Sequence, residues 1–167
     1  MSRLESRIVE LLPRLRRYAR SLAHDRQEAD DLLQDCVENA IAGQGRWRGA
    51  NLAGWLMAIM TNLNRNRHRH QKRSGMFAAM DDVAEPASTA EPSDPLERDR
   101  LLGAIDALSP DQRAVLMLIV VEGYSYAEIA LMLDIPLGTV MSRLSRARRG
   151  IAATLRGHNI IDMRRPS

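Results

Sequence analysis

The sequence predicts an all-α protein: two small helical domains joined by a flexible acidic linker. Three observations predict it. Apolar residues recur at the i, i+3, i+4, i+7 spacing in both halves of the chain. Capping residues stand ahead of several of those stripes. No segment shows the two-residue alternation and tight turns of paired strands.

Composition sets the frame. The chain has 167 residues, 45% of them hydrophobic, which is enough for real cores. With only two Trp, three Tyr and one Phe, those cores are built from Leu, Ile, Val, Met and Ala, which suit helices. The formal net charge is +3, and every basic residue except Lys72 is arginine. That bias fits genomic base composition, and it also fits bidentate contacts to phosphate and guanine. Cys36 is the single cysteine, so neither an internal disulfide nor a Cys-based zinc site is expected, and a reducing, cytoplasmic home follows. Residues Met1 to Glu10 lack the apolar region of a signal peptide. The longest apolar run, Ala114 to Val121, is too short for membrane insertion.

The elements follow in order. Pro13 is placed to open a helix continued by Leu15, Tyr18, Ala19 and Leu22. Residues 26–41 carry a stripe of Ala29, Leu32, Leu33, Cys36, Val37 and Ala40. Residues 51–65 repeat it with Leu52, Trp55, Leu56, Ile59, Met60 and Leu63, and the helix extends to about residue 73. Residues 76–97 hold Pro86, Pro92 and Pro95 and six acids with no base, the composition of a flexible linker. It separates a domain over 1–75 from one over 98–156, with a tail at 157–167. Ser109-Pro110-Asp111-Gln112 reads as a capping box opening a buried helix, and Ser125 with Glu128 as a second. Roughly four helices are expected on each side of the linker.

Residues 125–151 form a helix-turn-helix pattern. A helix from Tyr126 to Leu133 ends at Asp134-Ile135-Pro136, because proline disfavours helix in the residue before it. A second helix starts near Gly138 and buries Val140, Leu144, Ala147 and Ile151. Small Ala130 lies where the two helices approach. Asp134 takes the turn position usual for glycine and tolerates left-handed backbone. The exposed faces of the second helix carry Met141, Ser142, Arg143, Ser145, Arg146, Arg148 and Arg149, the residue types that read base edges and phosphates in a major groove.

The N-terminal half has three charged or aromatic constellations. Asp25, Glu28, Asp30, Asp31, Asp35 and Glu38 make an acidic helix face that DNA would repel and a basic protein surface would attract. Gly43 to Asn51 is a glycine-rich loop with Trp47 between Arg46 and Arg48. It lacks the spacing of a phosphate-binding loop. Trp47 either stacks on an unpaired base or folds back onto the core. Arg65, Arg67, Arg69, Lys72 and Arg73 form a basic ridge at a helix C-terminus, where cations also complement the dipole. His68 and His70 point to different helix faces and make a poor metal pair.

Taken together, the acidic ADDLLQD helix, the Arg-Trp loop, the NLAGWLMAIMTNLNRNR helix, the acidic linker, LSPDQR and SYAEIALMLDIPLGTVMSRLSRAR resemble the extracytoplasmic-function (ECF, group IV) sigma factors of the sigma-70 family, over about residues 10–155. The resemblance implies that the first domain is similar to sigma region 2 and the second to region 4. It implies that Asp30, Asp31, Leu32, Gln34 and Asp35 bind the β′ clamp helices of core RNA polymerase. Arg46, Trp47, Arg48, Asn51, Trp55, Asn62 and Arg65 would capture the opened −10 element. Thr139, Met141, Ser142, Arg143, Ser145, Arg146 and Arg149 would read the −35 element of promoter DNA, with nearby surface meeting the β flap. The linker would follow the path of nascent RNA. An anti-sigma factor would gate activity. Met141 departs from the polar or basic residue of many relatives, which suggests an apolar contact to a thymine methyl. The tail after Arg156 has no counterpart.

No nucleophile–base set, metal cluster or phosphate loop is legible, so neither an enzyme nor a cofactor is expected. The competing reading is a sigma mimic that sequesters an anti-sigma factor without touching promoters. An ordinary helix-turn-helix repressor would not need the acidic helix or the Arg-Trp loop.

Overall fold

The computed structural model describes residues 1–73 and 94–163, with side-chain surroundings given through residue 157. Seven α-helices and one short 3-10 turn make up the described residues, and no strand occurs among them. The expected all-α class holds.

Helix α1 spans Arg3–Leu22. It begins ten residues earlier than the proline suggests, and Pro13 lies inside it. Ser2 and Glu5 cap it reciprocally: the Ser2 N–H donates to Glu5 Oε2 at 2.8 Å and the Glu5 N–H to Ser2 Oγ at 3.2 Å. Interior proline costs about 3 kcal/mol. Burial of Leu4 and Ile8 upstream offsets it, at about 1.5–3 kcal/mol per aliphatic side chain. Helix α2, Arg26–Ala42, starts on Asp25, whose Oδ1 accepts the Glu28 N–H at 2.7 Å. Helix α3 is Leu52–Arg73. Asn51 Oδ1 accepts the Gly54 N–H at 2.9 Å and caps it. A Cβ on Gly54 would lie 2.4 Å from Asn51 Nδ2, so glycine makes room for the cap.

These three helices pack on one another in an N-terminal unit. Its core joins Leu15, Tyr18 and Leu22 to Leu32, Leu56, Met57 and Met60, all essentially without solvent contact. The buried Tyr18 hydroxyl shares a 2.7 Å hydrogen bond with Thr61 Oγ1. Cys36 lies between α2 and α3, where its thiol donates to the Leu56 carbonyl at 3.2 Å. Burial pushes that thiol up to about 12.

The C-terminal unit holds α4 (Pro95–Asp106), α5 (Pro110–Val120), α6 (Tyr126–Leu133) and α7 (Leu137–Met163). Two boundaries differ from the sequence reading. Asp94 caps α4, accepting the Leu96 N–H at 3.0 Å, so residues 95–97 belong to a helix and not to the linker. The rest of the linker expectation lies outside the described residues. Helix α7 runs past residue 157 to Met163, so the backbone there continues the recognition helix. The N-terminal unit has three α-helices and a 3-10 turn, against the roughly four helices expected. Ser109 Oγ accepts the Gln112 N–H at 3.3 Å, and Ser125 Oγ the Glu128 N–H at 3.1 Å. Asp134 adopts φ 53, ψ 52, the left-handed turn expected of it. Helix α7 packs against α4, α5 and α6 through Val140, Leu144 and Ala147.

The two units share one apolar cluster, with α5 set against α1 and α3. Arg113, 7% exposed, crosses the junction: its Nε donates to the Ser21 carbonyl at 2.7 Å and its Nη2 to the Ala23 carbonyl at 3.1 Å. It thereby satisfies carbonyls at the α1 C-terminus. Glu122 accepts from Arg14 Nε at 2.9 Å and from Arg17 Nη2 at 3.1 Å, and its side chain is 0% exposed.

Candidate nucleic-acid and polymerase interfaces

The acidic face of α2 is outward as expected. Asp30, Asp31 and Gln34 are exposed. Gln34 Nε2 donates to Glu38 Oε1 at 3.1 Å, which lines the two side chains along the helix. Leu32 requires a correction: it is 0% exposed and belongs to the core, so it supports this face from below and cannot touch a partner. Leu33 and Val37 line a shallow groove between α1 and α2 instead, rimmed by Arg16, Arg20, Asp30 and Glu38. Asp35 is half-buried and paired with Arg67 of α3.

The loop from Gly43 to Asn51 opens with a 3-10 turn, Gln44–Arg46. Arg46 and Arg48 face solvent. Trp47 sits between the two alternatives left by the sequence. It is half-buried against the core, its Nε1 donates to the Ala50 carbonyl at 3.3 Å, and the Arg7 guanidinium covers its ring at 4.8 Å from the centroid. Arg7 was not foreseen; it is four positions from Arg3 on an exposed face and carries no local signal. Asn51 serves as the α3 cap. On α3, Asn62 is exposed, while Trp55 and Arg65 are half-buried.

Arg65 does not face solvent freely. Its Nε lies 3.2 Å from Asp111 Oδ1 of α5, yet out of line for a hydrogen bond. On α7, Met141, Ser142, Ser145, Arg146 and Arg149 are exposed and Thr139 is half-buried. Ser142 Oγ donates to the Thr139 carbonyl at 3.1 Å. Arg143 is only 18% exposed and its Nη2 stands 3.8 Å from Asp111 Oδ2. The convex outer row of α7 is therefore Met141, Ser142, Ser145, Arg146 and Arg149, with Arg143 turned inward.

His24 and His68 meet edge to face at 5.7 Å. Among the described residues, no group of three metal-ligating side chains exists and no helix is long and apolar enough to cross a membrane.

Residues 98–150 match the family described as sigma-70, region 4. The chain is 34% identical to the ECF RNA polymerase sigma factor EcfG of Rhodopseudomonas palustris over 158 residues, covering 91% of this chain and 84% of that one. The chain belongs to the extracytoplasmic-function sigma factors of the sigma-70 family. In this sigma factor, residues 8–61 match the Sigma2 domain of PhyR. Its fold matches the sigma factor RpoE of Bartonella quintana, solved in complex with the anti-sigma factor NepR, with a TM-score of 0.71 and 31% identity, covering 91% of this chain and 96% of that one. It also shares a fold with the anti-anti-sigma factor PhyR of Bartonella quintana (TM-score 0.62, 19% identity, 90% of this chain and 49% of that one). The sequence resemblance to this family stands, and the N- and C-terminal units are its region 2 and region 4.

Proposed function

We propose that this sigma factor binds core RNA polymerase and directs promoter-specific initiation from −35 and −10 elements. The observation that carries the reading is the sorting of exposed charge by unit. Carboxylates crowd the outer face of α2, and guanidiniums crowd the outer face of α7. The first would meet basic protein surface, the second the polyanion.

Asp30, Asp31 and Gln34 would dock the β′ clamp helices, with Leu33 and Val37 as the apolar floor. Met141, Ser142, Ser145, Arg146 and Arg149 would enter the −35 major groove. Arg46, Arg48, Asn62 and, once Arg7 moves aside, Trp47 would hold a melted −10 strand. Unstacking costs a few kcal/mol per step. Base–aromatic stacking returns about 1–3 kcal/mol. The residues therefore do their work by binding the opened strand.

Control by an anti-sigma factor is supported by the RpoE chain, which matches across both units and was solved with NepR. A stress-responsive role rests on family resemblance. The PhyR-type match over residues 8–61 favours a second reading, an anti-sigma-sequestering mimic. Run-off transcription with core polymerase and a candidate promoter separates the two. A promoter-dependent transcript is expected; a mimic would give none while still binding an anti-sigma factor.

A further inference from the structure

The basic end of α3 is divided by its surroundings. Beyond Asn64 the helix buries no side chain. Arg65 and His68 are half-buried, beside Asp111 and His24 respectively. Arg67 turns onto Asp35 of α2, which it meets through a hydrogen bond and an ion pair. That leaves Asn62, Asn66, Arg69 and Arg73 exposed, and none of their side chains bonds to another group among the described residues. Their four-three-four spacing puts them on one helix face. Trp55 and Ile59, both half-buried, begin the same face at the end nearer the Trp47 loop. The row from Asn62 to Arg73 covers about 16 Å of helix. One DNA strand presents about five phosphates over that length. Amides suit base edges and guanidiniums suit phosphates.

We infer that Asp35 is a positioning residue for DNA and not a polymerase contact: through Arg67 it fixes the last turns of α3, so that the row of Asn62, Asn66, Arg69 and Arg73 continues the strand path away from Trp47. This rests on the promoter-binding reading.

A helix end without buried side chains frays unless tertiary contacts restrain it. Inside the N-terminal unit two contacts restrain this one, the His24–His68 ring contact and the Asp35–Arg67 pair. Arg67 stands between Asn66 and Arg69, so tying it fixes the turn that carries both. The pair is partly exposed, with side chains 45% and 27% accessible, so it adds little to global stability and acts through geometry. It also commits the Asp35 charge. Asp30 and Asp31 form no ion pair among the described residues, and they are the carboxylates a basic partner finds free. The inference has a distinctive sign. Removing a carboxylate beside a polyanion ordinarily strengthens binding; removing this one should weaken it.

The test uses the full chain assembled with core polymerase and a fork-junction form of the run-off promoter, across a salt series. Asp35→Asn is compared with Glu10→Gln, an equal charge change at an exposed acid of α1. Asp35→Asn should bind fork DNA about three- to tenfold more weakly than Glu10→Gln and flatten the log–log salt slope by up to about two, for Arg69 and Arg73. Arg69→Gln and Arg73→Gln should each flatten it by about one, and should add little on top of Asp35→Asn. Asp35→Glu keeps the charge and should restore most of the affinity. Affinity for core polymerase should match that of Glu10→Gln. In the free chain, Asp35→Asn should speed amide exchange at residues 66–73 and leave residues 56–64 protected. Fork binding equal to or tighter than that of Glu10→Gln refutes the positioning role. A loss of fork binding matched by a loss of core affinity returns Asp35 to the polymerase face. Unchanged exchange at 66–73 refutes the tie even if DNA binding falls. If the parent shows no promoter preference while exchange at 66–73 still quickens, the promoter reading is at fault and the tie stands.

Discussion

The Arg113 guanidinium donates to the Ala23 carbonyl at 3.1 Å, so a residue in the first turn of α5, the second helix of region 4, closes the last turn of the first helix of region 2. The same side chain reaches Asp106 Oδ1 at 2.8 Å with its Nη1. Burial favours the neutral form of Arg113, and the Asp106 carboxylate opposes it.

Arg113→Met should therefore destabilise the chain by about 3 kcal/mol, because it leaves two carbonyls and a carboxylate short of a donor. Denaturant unfolding would report it as a lower midpoint. A loss below about 0.5 kcal/mol, typical of surface changes, would show that the crossing is incidental.

Stability should depend on pH through two histidines of opposite sign. The Asp106 carboxylate, whose Oδ1 stands 3.6 Å from His24 Nδ1, raises His24 above its ordinary value, against burial. Its contribution is thus complete below about pH 6.5 and lost as pH rises through the folded value. Burial lowers His68, so protonation below that range works against the fold. His24→Gln should lose stability at about pH 5.5 and change little at about pH 8.5. His68→Gln should be relatively more stable than the parent at the acid pH. Thermal melts at both pH values check this, and shifts of the same sign in both variants would contradict it. Asp106 is lowered because bonds to His24 and Arg113 outweigh its burial, so its own contribution fades only as pH falls through the carboxylate range.

Arg146→Ala should cost about 1–3 kcal/mol in −35 binding and relax preference at one base pair if the arginine reads a base edge. Competition binding with single-substituted promoters would show it. Uniform loss across all sequences would reassign Arg146 to a phosphate.

Trp47→Ala should weaken promoter opening while leaving duplex binding nearly unchanged, by about 1–3 kcal/mol per stacked base. Binding to pre-melted promoter DNA measures the difference. Arg7→Ala should act in the opposite direction, since it uncovers the ring.

Local signals carried most of the fold. The Ser109 and Ser125 caps, the Asp134 turn and the Val140–Leu144–Ala147 stripe each arise from neighbours in sequence, and each is where expected. Pro13 misled because proline usually marks a first turn, whereas Ser2, Glu5, Leu4 and Ile8 had already started that helix. Asp94-Pro95 was absorbed into an acidic stretch although it is itself a start signal. Leu32 was carried by its place in an acidic motif, while its stripe position put it in the core. What no periodicity could reveal was the pairing of Asp111, Arg113 and Glu122 with residues tens of positions away. Such pairs depend on how two amphipathic units meet, and that meeting leaves no local trace.

Cys36 has a consequence for signalling. Peroxides and electrophiles react with thiolate, and a thiol sealed between two helices and held protonated offers them almost none. Direct thiol chemistry with oxidants at Cys36 is thus disfavoured while the chain is folded.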